Sequence, residues 1–83
     1  MGVVTEDTLA ARKALGLRIK RVRQAQGLSQ KRLADMVGID RTYLIQVEQG
    51  KRNLGFNNLH KIAAGLGVTL SELSETNERV YYQ

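Results

Sequence analysis

"GLSQKRLADMVGIDRTYLIQVEQGKRN", residues 27–53, sets apolar side chains at two helical phases with a glycine between them. Leu33, Ala34 and Val37 form one set, and Leu44 and Val47 form the other. Ser29 is placed to cap a helix over residues 30–37, and Asp40 to cap one over about residues 41–49. Glycine adopts a left-handed backbone without penalty, so Gly38 can stop the first helix and turn the chain sharply. Ala34 faces that turn, where a larger side chain would push the helices apart, and Ile39 plugs the corner. Two short helices crossed steeply over a tight turn form a helix-turn-helix. In that geometry the second helix lies in the DNA major groove.

The remaining elements follow from similar punctuation. A long first helix is expected from a cap near Thr5 or Asp7 to about residue 26, with Leu15, Ile19 and Val22 on one face and Gly27 just beyond. A fourth helix, about residues 56–66, is expected to bury Phe56, Leu59, Ile62, Ala63 and Leu66. Thr69 and Glu72 match a capping box that opens a short fifth helix at about residues 70–75. There is no proline and no convincing strand. The expected fold is a compact all-α, five-helix single domain spanning residues 1–83. Its core covers about residues 15–75, residues 1–13 extend the first helix, and residues 76–83 form a patternless tail.

Charge is unevenly placed along the chain. Residues 12–61 carry twelve basic and three acidic side chains, a net of +9, against −2 on each flank and +5 for the whole chain. Arg12, Lys13, Arg18, Lys20, Arg21, Arg23, Lys31 and Arg32 follow one another without an intervening acid. Such a block suits a polyanion. It lacks the aromatic anchor of a membrane-surface helix, and no apolar run is long enough to span a bilayer. The opening MGVVTEDTL has neither the basic nor the apolar region of a secretory leader, and the chain has no cysteine. A cytoplasmic protein is expected.

The third helix has two faces. At about 100° per residue, Leu44, Val47 and Glu48 point inward, while Thr42, Ile45, Gln46 and Gln49 point out. Arg41 projects from its N-terminal end. Arginine can donate two parallel bonds to guanine O6 and N7, and glutamine can pair with adenine N6 and N7. The Thr42 methyl and Ile45 can touch a thymine methyl. Arg41, Thr42, Ile45 and Gln46 are therefore the candidate base contacts. Gln30, in the first turn of the second helix, and Tyr43, Lys51, Arg52 and Asn53 are candidate contacts to the phosphate backbone. Glu48 is the one acid of the third helix and would repel DNA if unpaired. A salt bridge to Arg23 is expected.

These residues resemble the Cro/repressor-type helix-turn-helix family, also called the xenobiotic-response-element type. The similarity runs over about residues 15–73, through "GLSQKRLADMVGI", "VEQGKRN" and "LHKIAAGLGVTLSEL". Within that family, "DRTYLIQVEQGKRNLGFNNLHKIA" is most similar to the small controller proteins of restriction–modification systems. The resemblance implies a lambda-repressor-like five-helix fold and a homodimer on a pseudo-palindromic operator. It implies base reading by Arg41 and Thr42, flanking support from Gln30, Arg52, Asn53 and Asn58, and Arg23 opposite Glu48. Leu54 and Gly55 stand where Pro-Ser is commoner.

One such unit makes few contacts. A two-fold dimer would set two third helices about 34 Å apart, one DNA turn. The fourth and fifth helices are the expected interface, with Leu70, Leu73, Val80, Tyr81 and Tyr82 as possible members. The expected partners are double-stranded DNA and a second copy, with no membrane, cofactor, metal or small-molecule ligand. An antitoxin that binds both a toxin and its own promoter is the alternative. His60 is the single histidine, and no catalytic set of nucleophile, base or paired carboxylates is recognisable, so an enzyme is not expected.

Overall fold

The computed structural model of the protein describes residues 6–74. Those residues form α1 (Glu6–Ala25), α2 (Gln30–Val37), α3 (Arg41–Glu48), α4 (Phe56–Leu66) and α5 (Leu70–Ser74). None of these helices is long and apolar enough to cross a membrane. Asp7 lies inside α1 rather than at its cap, and Thr5 lies outside the described residues. Glu75, Val80, Tyr81 and Tyr82 also fall outside them.

The caps of the central pair are chemical and local. Ser29 Oγ accepts from the Arg32 N–H at 3.0 Å. Asp40 Oδ2 accepts from the Tyr43 N–H at 3.2 Å. Both satisfy amides that have no partner inside the helix. Gly38 sits at φ +75°, and its N–H and that of Ile39 both donate to the Ala34 carbonyl. The left-handed residue closes α2 and turns the chain straight into the α3 cap. The Thr69–Glu72 box forms in both directions, at 2.8 and 2.9 Å.

The core gathers Ile19, Leu33, Ala34, Leu44, Val47, Ile62, Ala63, Leu66 and Leu73. Each fully buried Leu, Ile or Val side chain contributes about 1.5–3 kcal/mol of transfer free energy. α1 packs on α3 and α5, α2 packs on α3 and α4, and α4 packs on α5. Helix α3 is thus held from two sides, by α1 and α2.

Phe56 departs from expectation. It is 69% exposed, and its ring stacks on His60. The apolar stripe of α4 is buried at Ile62, Ala63 and Leu66. Phe56 is the first residue of the helix, one turn short of where that stripe reaches the core. Leu59 and Val37 are half-buried at the core's margin.

Gly16 is the least obvious feature of the packing. A Cβ built there would lie 2.2 Å from the Val47 carbonyl oxygen and 2.8 Å from that of Glu48. α1 and the end of α3 approach so closely that only a residue without a side chain fits between them.

Candidate nucleic-acid interface

The inward face of α3 is fixed by packing and by one ion pair. Leu44, Val47 and Glu48 are buried. Arg23 Nε donates to Glu48 Oε2 at 2.7 Å and Nη2 donates to Oε1 at 2.9 Å. Arg23 Nη1 also donates to the Leu28 carbonyl at 2.8 Å. This two-bond fork ties α1 to α3 and to the loop before α2, and it is the salt bridge expected from the sequence. Gln30 Nε2 adds a third bond to the carboxylate, at 3.0 Å on Oε1. Gln30, a candidate backbone contact, is therefore also a prop for Glu48 from the first turn of α2.

The outward face carries the expected side chains. Arg41, Thr42 and Gln49 are exposed, while Ile45 and Gln46 are half-buried. Arg41 and Thr42 open α3 directly after the Asp40 cap, so their backbone positions are set by that cap and by Leu44 beneath.

A hydrogen-bonded network runs from α3 through the following loop to α4. Tyr43 Oη donates to the Asn53 carbonyl at 3.2 Å and accepts from Asn58 Nδ2 at 3.1 Å. The Arg52 guanidinium lies 5.0 Å above the Tyr43 ring, within cation–π range. Arg52 Nη1 donates to Gln46 Oε1 at 2.8 Å. The structure thus brings Tyr43, Gln46, Arg52, Asn53 and Asn58 together, with Lys51 exposed beside them.

Arg12 belongs to this cluster and was not singled out as a site residue by the sequence. Its Nη1 donates to Asn53 Oδ1 at 3.3 Å, bringing the first-helix extension onto the loop after α3. The run of basic residues that includes it was visible, but the partner 41 residues away was not.

Among the described residues, Glu48 is neutralised by Arg23, and Asp35 pairs with Lys31 one turn away on the exposed surface of α2. Lys51, Arg41 and Arg52 have no carboxylate partner among the described residues. An arrangement with hydrogen-bonding side chains on a rigid helix and unpaired cations at its flanks suits a duplex, whose base edges lie between two rows of phosphates.

A helix-turn-helix family profile matches residues 19–73. Control protein C.MunI of Mycoplasma sp. is 46% identical over 65 residues, covering 77% of this chain and 88% of that protein. The restriction-modification controller protein C.AhdI from Aeromonas hydrophila superposes with a TM-score of 0.76 at 41% identity, over 77% of this chain and 97% of that one. SinR, a master regulator for biofilm formation solved in complex with DNA, superposes with a TM-score of 0.71 at 32% identity, over 74% of this chain and 98% of that one. The matched residues hold the capped pair α2–α3 and the helices that grip it, and the chain belongs to the helix-turn-helix family.

Proposed function

We propose that this chain is a sequence-specific regulator of transcription that binds double-stranded DNA as a homodimer on a pseudo-palindromic operator. The observation that carries this reading is the two-sided character of α3. One side is locked by Leu44, Val47 and the Arg23–Glu48 fork, and the other presents Arg41, Thr42, Ile45 and Gln46. In the proposed complex α3 lies in the major groove, where Arg41 and Thr42 read base edges. Gln30, Tyr43, Lys51, Arg52, Asn53 and Asn58 hold the phosphate backbone on either side. Similarity to C.MunI and C.AhdI supports the role of a restriction–modification controller protein. The cytoplasm is the compartment such a role requires.

The homodimer is proposed through α4 and α5. Phe56 is exposed on α4, Leu70 is half-buried at the start of α5 and Val68 just before it, leaving apolar surface that the chain's own core does not cover. Selection of bound sites from random duplexes tests the whole reading. It is expected to return a motif with two-fold symmetry and half-sites one DNA turn apart. Light scattering after size exclusion is expected to give twice the chain mass at micromolar concentration. A strict monomer together with no enriched motif contradicts the proposal.

Two variants separate base reading from backbone holding. Arg41→Ala is expected to cost about 1–3 kcal/mol on the selected operator and to relax preference at one base pair. Equal losses on operator and random DNA would remove Arg41 from base reading. Lys51→Ala is expected to weaken all sequences alike and to lower the slope of log affinity against log salt by about one. Fluorescence anisotropy across a salt series measures both.

A further inference from the structure

Gln46 cannot be read in isolation, because its amide is already engaged. Arg52 Nη1 donates to it at 2.8 Å. A guanidinium has donors only, so the amide atom it meets must be the oxygen, and this fixes which way round the Gln46 amide sits. Arg52 is itself held in place. Its guanidinium lies over the Tyr43 ring, and the Tyr43 hydroxyl is pinned by the Asn53 carbonyl and by Asn58. The loop after α3 thereby orients a side chain on the exposed face of α3.

We infer that Arg52 is a specificity-determining positioning residue: it turns Gln46 from an adenine reader into a donor that selects guanine, or thymine, at its base pair. The inference rests on the proposed placement of α3 in the major groove. Pairing with adenine needs the amide oxygen to accept from N6–H2 while the amide nitrogen donates to N7. Arg52 takes one of the oxygen's two lone pairs, so an incoming N6–H2 group has only the other and meets the positive guanidinium beside it. The Nε2 hydrogens have no partner among the described residues. Guanine offers N7 and O6, both acceptors, and thymine offers O4. Arg52 and Gln46 together present donors and positive charge, which match those edges and oppose the amino groups of adenine and cytosine. The expectation from Gln46 alone, an adenine contact, is thus reversed by a residue six positions further along the chain.

Selection from a random-duplex library with the full chain tests this, comparing wild type, Gln46→Ala and Arg52→Met. Arg52 is exposed and Gln46 only half-buried, so both variants are expected to fold, with melting curves by circular dichroism as the check. Methionine keeps an apolar stem over Tyr43 and removes the donors. Gln46→Ala identifies the base pair that residue 46 reads, as the position where preference flattens. At that position wild type is expected to take guanine or thymine. Arg52→Met is expected to shift the ratio toward adenine by roughly tenfold, about one hydrogen-bonded base contact. Overall affinity falls for every sequence, which the ratio does not register. Adenine at that position in wild type, an unchanged ratio in Arg52→Met, or no position flattened by Gln46→Ala each overturns the inference while leaving a sequence-specific binder. No enriched motif for wild type overturns both this inference and the proposed function beneath it.

Discussion

Glu48→Gln is expected to remove about 3–5 kcal/mol of folding stability, the usual cost of leaving one member of a buried ion pair without its partner. The substitution changes almost no volume, so packing is not the cause. Arg23 is 6% exposed and Glu48 7%, and Arg23 donates two bonds to the carboxylate. A neutral amide offers one acceptor oxygen in place of two and no charge to offset the guanidinium. A domain of this length has roughly 4–12 kcal/mol in total, so the loss is a large fraction of it. Asp35→Asn gives the contrast. Its pair with Lys31 is solvent-exposed, and pairs of that kind contribute about 0–1 kcal/mol. Replacing both partners, Arg23→Met with Glu48→Leu, is expected to recover most of the loss, because no buried charge is then left alone. Urea unfolding followed by circular dichroism measures all three. A shift below about 1 kcal/mol for Glu48→Gln would mean that the fork contributes no more than a surface pair.

Gly16→Ala is expected to destabilise by about 3 kcal/mol, against the usual sign for glycine in a helix. Alanine normally gains about 1 kcal/mol there by restricting the unfolded chain and favouring the helix. At this position the added carbon would lie 2.2 Å from the Val47 carbonyl oxygen, 2.8 Å from that of Glu48 and 3.0 Å from the Glu48 carbonyl carbon. All three are backbone atoms, so no rotamer change relieves the contact, and α1 must move off α3. Overpacking of that kind costs about 1–3 kcal/mol or more, and backbone against backbone belongs at the upper end. Gly65→Ala offers the comparison. Its nearest clash is Val37 Cγ1 at 2.3 Å, one side-chain methyl rather than the backbone of a neighbouring helix, so a smaller loss is expected. Because Val47 and Glu48 end α3, the Gly16 variant is also expected to tilt that helix and weaken binding to the selected operator. Thermal melts of the two variants decide the matter. A raised melting temperature for Gly16→Ala would contradict the close crossing of α1 and α3.

What was legible in the sequence was local chemistry. Ser29, Gly38, Asp40 and the Thr69–Glu72 box each announce a helix boundary through a bond made within a few residues, and each bond is present. The inward set Leu44, Val47, Glu48 follows from helical periodicity alone. The Arg23–Glu48 pair was legible for an electrostatic reason: a lone acid on a helix expected to face DNA needs a cation. Phe56 was misplaced because periodicity tells which stripe a residue occupies and not where along the helix the core ends. Nothing in the local sequence marks Gly16, since its meaning depends on a backbone some thirty residues away. The Gln46–Arg52 bond escaped for a similar reason. A helical wheel assigns a face to Gln46 but knows nothing of a loop that folds back over it.

The most direct test of the central claim is a crystal structure of the chain on its selected duplex. The expected result is α3 lying in the major groove, with Arg41 and Thr42 within hydrogen-bond or van der Waals reach of base edges and Leu44 and Val47 still buried behind them. A complex in which α3 faces away from the duplex, or in which bases are touched only by another element, would contradict it.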